Sequence, residues 1–229
     1  TGGYTTTQVA NTEEFSVPTA ENHLTEGQIF LSGGTTLKGF GKAAGIPAAT
    51  WASGGALNTG RNRPMSSASG HTAALGFSGA DNPPTSYSVA TEKYNGTSWT
   101  EVNEMNTGRA GGVGTGNSQD AALATGGYSG SYEAKVEQWN GTSWTEVNDI
   151  NTARGEIPGG GGTSTSSIIA GGYAPPSKLT NAETWNGTSW TEQNDLNNAR
   201  KYLAGTGTQA AALCSGGGNS THTEEWTQN

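Results

Sequence analysis

Apolar positions along this chain fall in short runs rich in Ala, Val, Ile, Thr and aromatic residues, each bounded by glycine or turn clusters. That is the pattern of strands. Three of the runs end in a glycine pair: Ala121 to Gly127, Ser167 to Gly172 and Ala211 to Gly217. An arginine shortly precedes each such run, and an inner strand is expected directly after it, for example over 109–114.

The runs belong to a repeat. Asn95-Gly-Thr-Ser-Trp99-Thr-Glu101 recurs at 140–146 and at 186–192, each copy preceded by a second aromatic: Tyr94, Trp139 and Trp185. Past the tryptophan, an aliphatic or Met residue (Met105, Ile150, Leu196) and then an arginine (Arg109, Arg154, Arg200) hold constant offsets. Trp51 carries the same tail, with Leu57 and Arg61. The four tryptophans stand 48, 45 and 46 residues apart, the period of four-stranded propeller blades. Asn-Gly between aromatics marks a tight hairpin joining third and fourth strands, which sets Tyr94 opposite Trp99.

Counting strands predicts an all-β protein: a β-propeller of four blades, each of four antiparallel strands, over 47–229. Trp51 has the tail of a fourth strand without the hairpin before it, and Trp226 ends a third strand with no fourth after it. Pairing strand 49–52 with the strand ending at Trp226 closes the ring as a mixed blade and leaves no sheet edge open. Residues 1–15 read as a strand segment of a preceding or partner blade. Residues 16–46 read as a β connector with a hairpin, Gln28 to Leu31 and Thr36 to Phe40, around Ser32-Gly-Gly34.

Composition narrows the chemistry. The 229 residues include 37 glycines and 8 prolines, a turn-rich rather than disordered content. A formal charge of −8 with no Lys/Arg stripe argues against nucleic acid and membrane surfaces as partners. No apolar run reaches the roughly 18 residues of a membrane span. Cys214, the single cysteine, reads as a small buried thiol with no intrachain disulfide open to it. His23, His71 and His222 lie apart, without metal-ligand spacing, and read as loop residues. The glycine run 159–162 has no Lys-Ser/Thr after it, so it is no phosphate loop. No catalytic residue, metal or cofactor is expected. Asn95, Asn140, Asn186 and Asn219 match the glycosylation pattern, but hairpin geometry already explains the first three.

Two sets of residues stand out. Glu92, Glu137, Glu183 and Glu224 each precede the first aromatic by two positions, and Arg61, Arg109, Arg154 and Arg200 occur once per blade. A structural charge pair per blade follows if the strands bring them together, since a buried arginine or carboxylate is tolerable mainly when paired. The second set lies in the loops joining second to third strands, which differ in every blade while the Asn-Gly-Thr-Ser hairpins repeat. Unlike loops on one face of a rigid scaffold are the layout of a recognition surface. Tyr128, Tyr132 and Tyr173 suit sugar stacking, and Asp81, Lys178 and Asn219 suit hydroxyl bonding. Replacing the three tyrosines with alanine is expected to abolish binding and leave unfolding nearly unchanged.

The Gly-Gly-Tyr, aromatic-Asn-Gly-Thr-Ser-Trp-Thr-Glu and Asn-x-x-Arg series resembles Kelch repeats over 47–229, and in part over 1–15. Residues 99–109 and 36–47 are similar to Kelch-like segments of tail-fibre and other virion proteins of marine bacteriophages. The resemblance implies a non-enzymatic virion appendage or decoration protein, extracellular, assembled as a homo-oligomer with other virion or fibre proteins and contacting host-surface glycans. The alternatives are a purely structural fibre subunit and, less favoured, a secreted glycan-active enzyme. Copper chemistry of the galactose oxidase kind would need a His/Tyr cluster that this chain does not supply.

Overall fold

In the computed structural model, three copies of the Asn-Gly-Thr-Ser segment fold into one hairpin. Asn95 Oδ1 accepts the backbone N–H groups of Thr97 (2.9 Å) and Ser98 (2.9 Å), and Gly96 takes a φ of 93°. Asn140 and Asn186 do the same for Thr142 and Ser143, and for Thr188 and Ser189. A short side chain that accepts from its own turn and a glycine free to take positive φ make this conformation the low-energy one. The hairpin fixes the register: Tyr94 faces Trp99, Trp139 faces Trp144 and Trp185 faces Trp190, with ring centroids 5.0, 5.4 and 5.4 Å apart. Each such pair contributes roughly 0.2–1 kcal/mol beyond alanine.

The structure describes residues 29–32, 36–39, 52–81, 86–157, 160–218 and 220–228. The chain divides into two units, Thr1–Ser53 and Gly54–Asn229. In the first, β1 (Ile29–Ser32) and β2 (Thr36–Gly39) form an antiparallel hairpin with Ile29 opposite Gly39. The strand expected within 1–15, the boundary expected at residue 47 and His23 lie outside the described residues.

The second unit holds four antiparallel sheets in a ring, a four-bladed β-propeller with no helix among the described residues. Blade 1 contains β3 (Met65–Gly70), β4 (Ala73–Phe77), β5 (Thr91–Tyr94) and β6 (Trp99–Val102). Blade 2 contains β7 (Val113–Ser118), β8 (Ala121–Thr125), β9 (Val136–Trp139) and β10 (Trp144–Val147). Blade 3 is built from β11 (Gly160–Gly162), β12 (Ser167–Ala170), β15 (Ala182–Trp185) and β16 (Trp190–Glu192), with a small hairpin, β13 (Tyr173–Ala174) and β14 (Ser177–Lys178), between its second and third strands. In blade 4 the described strands are β17 (Ala204–Gly207), β18 (Ala211–Ser215) and β19 (Thr223–Thr227).

Four inner strands must converge on the axis of so small a ring, and their sequences are correspondingly small: Val-Gly-Thr-Gly in β7, Gly-Gly-Gly in β11, Ala-Gly-Thr-Gly in β17. Gly114 shows the constraint, since a Cβ there would stand 2.7 Å from the Ser66 backbone nitrogen and 3.0 Å from Phe77 Cζ. The strand expected over 109–114 starts later than the sequence suggests. Gly111 adopts φ 67° and breaks the extended path, so regular pairing begins at Val113.

Between blades the core is aromatic and aliphatic. Trp144 packs on Phe77 of blade 1 at 4.8 Å and donates its indole N–H to Thr91 Oγ1 at 2.9 Å. Trp190 packs equivalently among Leu123, Val136 and Trp185, where its Nε1 is buried without a partner. Trp139 and Trp185 are fully buried, and truncating a tryptophan in such a place costs about 3–5 kcal/mol. At the blade 3–blade 4 boundary no described tryptophan stands where Trp144 and Trp190 stand in the other two. A slot of ≈ 260 Å³ lies there, lined by Ile168, Ala170, Ala182, Leu196, Ala212 and Trp226. The expected closing strand 49–52 includes Trp51, which lies outside the described residues.

Candidate functional site

Each blade carries one ion pair, buried in blades 1 to 3 and partly exposed at Glu224 in blade 4: Arg61 with Glu92 (2.8 Å), Arg109 with Glu137 (2.6 Å), Arg154 with Glu183, and Arg200 with Glu224 (2.5 Å). The arginine comes from the segment entering the blade and the glutamate from its third strand. An asparagine completes the clamp. Asn58, Asn106, Asn151 and Asn197 each donate both backbone and side-chain N–H groups to the second carboxylate oxygen, at 2.6–2.9 Å. The remaining guanidinium donors reach backbone carbonyls such as Ala90, Ala124, Asn181 and His222. Only Nε is left unpaired, in all four arginines. Burial lowers the Arg61 and Arg154 pKa values, with the facing glutamate opposing the shift. Burial pushes the Glu224 carboxyl up, but the Asn197 N–H groups and Arg200 outweigh it and hold the group below its ordinary range. These residues tie each entry segment to the third strand of its blade, and Asn197 and Glu224 also line the slot between blades 3 and 4.

Two residues past each clamp arginine the chain makes a left-handed turn at the axis. Arg63, Gly111, Glu156 and Tyr202 have φ values of 52°, 67°, 50° and 60°. Three of the four are not glycine, and each pays roughly 1–2 kcal/mol for that conformation. Backbone bonds link these turns from blade to blade: Gly111 N–H to Arg63 O (3.5 Å), Ile157 N–H to Gly111 O (3.4 Å) and Tyr202 N–H to Glu156 O (3.4 Å). Arg63 reaches past blade 2 to pair with Glu156 of blade 3. Gly111, with its φ of 67°, leaves the space over which the Arg63 guanidinium lies. The result is an open axial mouth of ≈ 440 Å³ lined by Arg63, Pro64, Gly111, Glu156, Tyr202 and Leu203.

On the same face, because antiparallel strands return there, lie the loops joining second to third strands. Their tyrosines form an edge-to-face row: Tyr87 to Tyr128 (5.8 Å), Tyr128 to Tyr132 (5.1 Å) and Tyr132 to Tyr173 (5.5 Å). Lys201 Nζ sits over Tyr173 at 4.0 Å and over Tyr202 at 4.9 Å. The row thus crosses from blade 1 to the entry of blade 4. Burial raises the Tyr132 pKa, aided by Glu156 and opposed by Arg63, and its ring lies so close to Gly155 that a Cβ there would stand 3.0 Å from Tyr132 Cδ1. Tyr87, Tyr128 and Tyr173 also sit on paired backbone, opposite Ala80, Ala110 and Gly155. The row is therefore held rather than floppy.

The loop residues singled out from sequence divide. Tyr128, Tyr132 and Tyr173 come together. They are half-buried and packed on one another, so the expectation that replacing them leaves unfolding unchanged gives way: edge-to-face pairs contribute about 0.5–1.5 kcal/mol each beyond area burial. Asp81 Oδ1 accepts the Ser86 N–H at 2.8 Å and holds its own loop. Lys178 is exposed at the end of β14. Asn219 lies outside the described residues. Tyr87, Arg63, Glu156, Lys201 and Tyr202 were not picked out by the repeat. For Arg63, Glu156 and Tyr202 the signal was a fixed offset of two from the clamp arginine, occupied by unlike residues.

Other candidate chemistry is sparse. His71 is an exposed turn residue, and His222 Nδ1 contacts Ser220 Oγ at 2.8 Å. Cys214 is half-buried, its thiol pKa pushed up by burial. Among the described residues no group of three or more His, Cys, Asp or Glu is placed to hold a metal ion, and no helix is long and apolar enough to cross a membrane. Compared with models of known protein families the chain matches none, and compared with curated proteins it likewise matches none.

Proposed function

We propose that the protein is a non-enzymatic display module of a bacteriophage virion appendage, a tail-fibre or decoration protein, whose propeller recognises host-surface glycans through its axial face. The observation that carries this reading is the tyrosine row beside the axial mouth. Aromatic faces held by paired backbone suit sugar rings, and a site whose side chains are already ordered loses little entropy on binding. The Kelch-like character of the repeat, and the similarity of 99–109 and 36–47 to virion proteins, support an extracellular, oligomeric setting with other fibre proteins as neighbours.

Binding of the full chain to intact host-envelope glycans, read on a glycan array and as blocking of particle adsorption, is the test. Adsorption unaffected by saturating protein, together with an empty array, would remove recognition. A purely structural fibre subunit, in which the rigid four-bladed ring serves as a stacking unit, is the second reading. Ordered filaments without glycan binding would support it.

A further inference from the structure

The propeller's cations are unevenly committed. Arg61, Arg109, Arg154 and Arg200 are locked in the clamps, Lys93 pairs with Asp120 (2.6 Å) and Lys135 lies 3.9 Å from Glu146. Arg63, whose partner is Glu156, and Lys178 and Lys201, which pair with no carboxylate among the described residues, all stand in segments of the axial face: two in the entries to blades 1 and 4, one on the hairpin beside them.

The carboxylates nearest the axis are already occupied. Glu156 pairs with Arg63, and Glu133 accepts the hydroxyls of Ser129 and Ser131. Arg63 gives Nη2 to Glu156, and its side chain stays 44% exposed against 9% for Glu156. Nη1 and Nε have no carboxylate among the described residues, and a guanidinium suits planar two-oxygen acceptors. Tyr202 is 61% exposed, held in a left-handed conformation at the rim, with the Lys201 ammonium over its ring. An exposed aromatic held at such cost, beside the Lys201 ammonium and the solvent-facing edge of the Arg63 guanidinium, marks a site rather than a packing accident.

We propose that the axial mouth binds acidic saccharides, with a sugar ring stacked on Tyr202 and its carboxylate held by Arg63 and Lys201. This rests on the glycan-recognition reading above and narrows it to uronate-type sugars.

The test titrates the full chain with a hexuronate trisaccharide, a neutral hexose trisaccharide and a sulfated disaccharide. The hexuronate is expected to bind, and to weaken as NaCl rises from 50 to 500 mM because the contacts are exposed charges. Lys201→Gln, and Arg63→Gln combined with Glu156→Gln so that no carboxylate is stranded, should each lower affinity roughly tenfold. Tyr202→Asn, which keeps a residue tolerant of positive φ, should do likewise while melting stays at the wild-type temperature. Hexuronate binding indifferent to all three changes overturns the site, and preference for the sulfated sugar overturns the carboxylate assignment. Binding of the neutral trisaccharide alone overturns the acidic class and leaves glycan recognition standing. Binding of none overturns both.

Discussion

Trp144 and Thr91 share a hydrogen bond across the first blade boundary, Nε1 to Oγ1 at 2.9 Å, and the next boundary lacks its counterpart. There the residue preceding the clamp glutamate is Val136, and the Trp190 Nε1 is buried without an acceptor. Val136→Thr is expected to supply one and raise stability by about 1 kcal/mol, the gain from pairing a buried donor exceeding the loss of a methyl. The check is a double-mutant cycle in urea: the gain should vanish when Trp190 is Phe.

The clamps should be strongly coupled. Arg109→Ala or Glu137→Ala alone strands a buried charge and is expected to cost about 3–5 kcal/mol. Arg109→Met with Glu137→Leu should cost less than the two alanine variants summed. Denaturant midpoints of the four proteins decide it, and simple additivity would mean the pair is not acting as a unit.

Acid should loosen blade 4 in a way traceable to Glu224. Its folded carboxyl titrates below the ordinary range, so it contributes stability above the unfolded glutamate pKa that is lost as pH falls through the folded value. Melting temperature followed from pH 6 to pH 3 should drop less steeply in Glu224→Gln, which starts lower but has no proton to gain. Parallel curves would remove Glu224 from the acid limb.

At the axis, Gly114→Ala is expected to destabilise by several kcal/mol, about the upper range for overpacking, because the new methyl meets fixed Ser66 backbone. Gly70→Ala, where open space surrounds the site, should be near neutral. Thermal melts of the two variants make the comparison.

How far the sequence reached follows from what repeats. The hairpin register was legible because Asn-Gly-Thr-Ser is dictated locally, by a side chain that caps its own turn. The Asn-x-x-Arg spacing was visible too, but the asparagine's contact with the glutamate was not, since it needs a third strand some thirty residues on. Arg63, Glu156 and Tyr202 escaped because the feature they share is a backbone angle, with no common side chain to align. The tyrosine row joins loops whose separation depends on blade curvature, a property of the closed ring that no single segment encodes.

Each clamp joins an entry segment to the glutamate of the blade it enters, the partners standing 31, 28, 29 and 24 positions apart in the chain. No clamp spans two blades. During synthesis, at about 5–20 residues per second, the fastening groups of one blade therefore emerge within seconds of each other, before the next blade exists. Locking can proceed in order along the ribosome's product, and the short reach keeps the entropy of closure small at every step. A chain with so little apolar mass would gain from that order, since each new tryptophan finds a finished wall to pack against and spends little time in water.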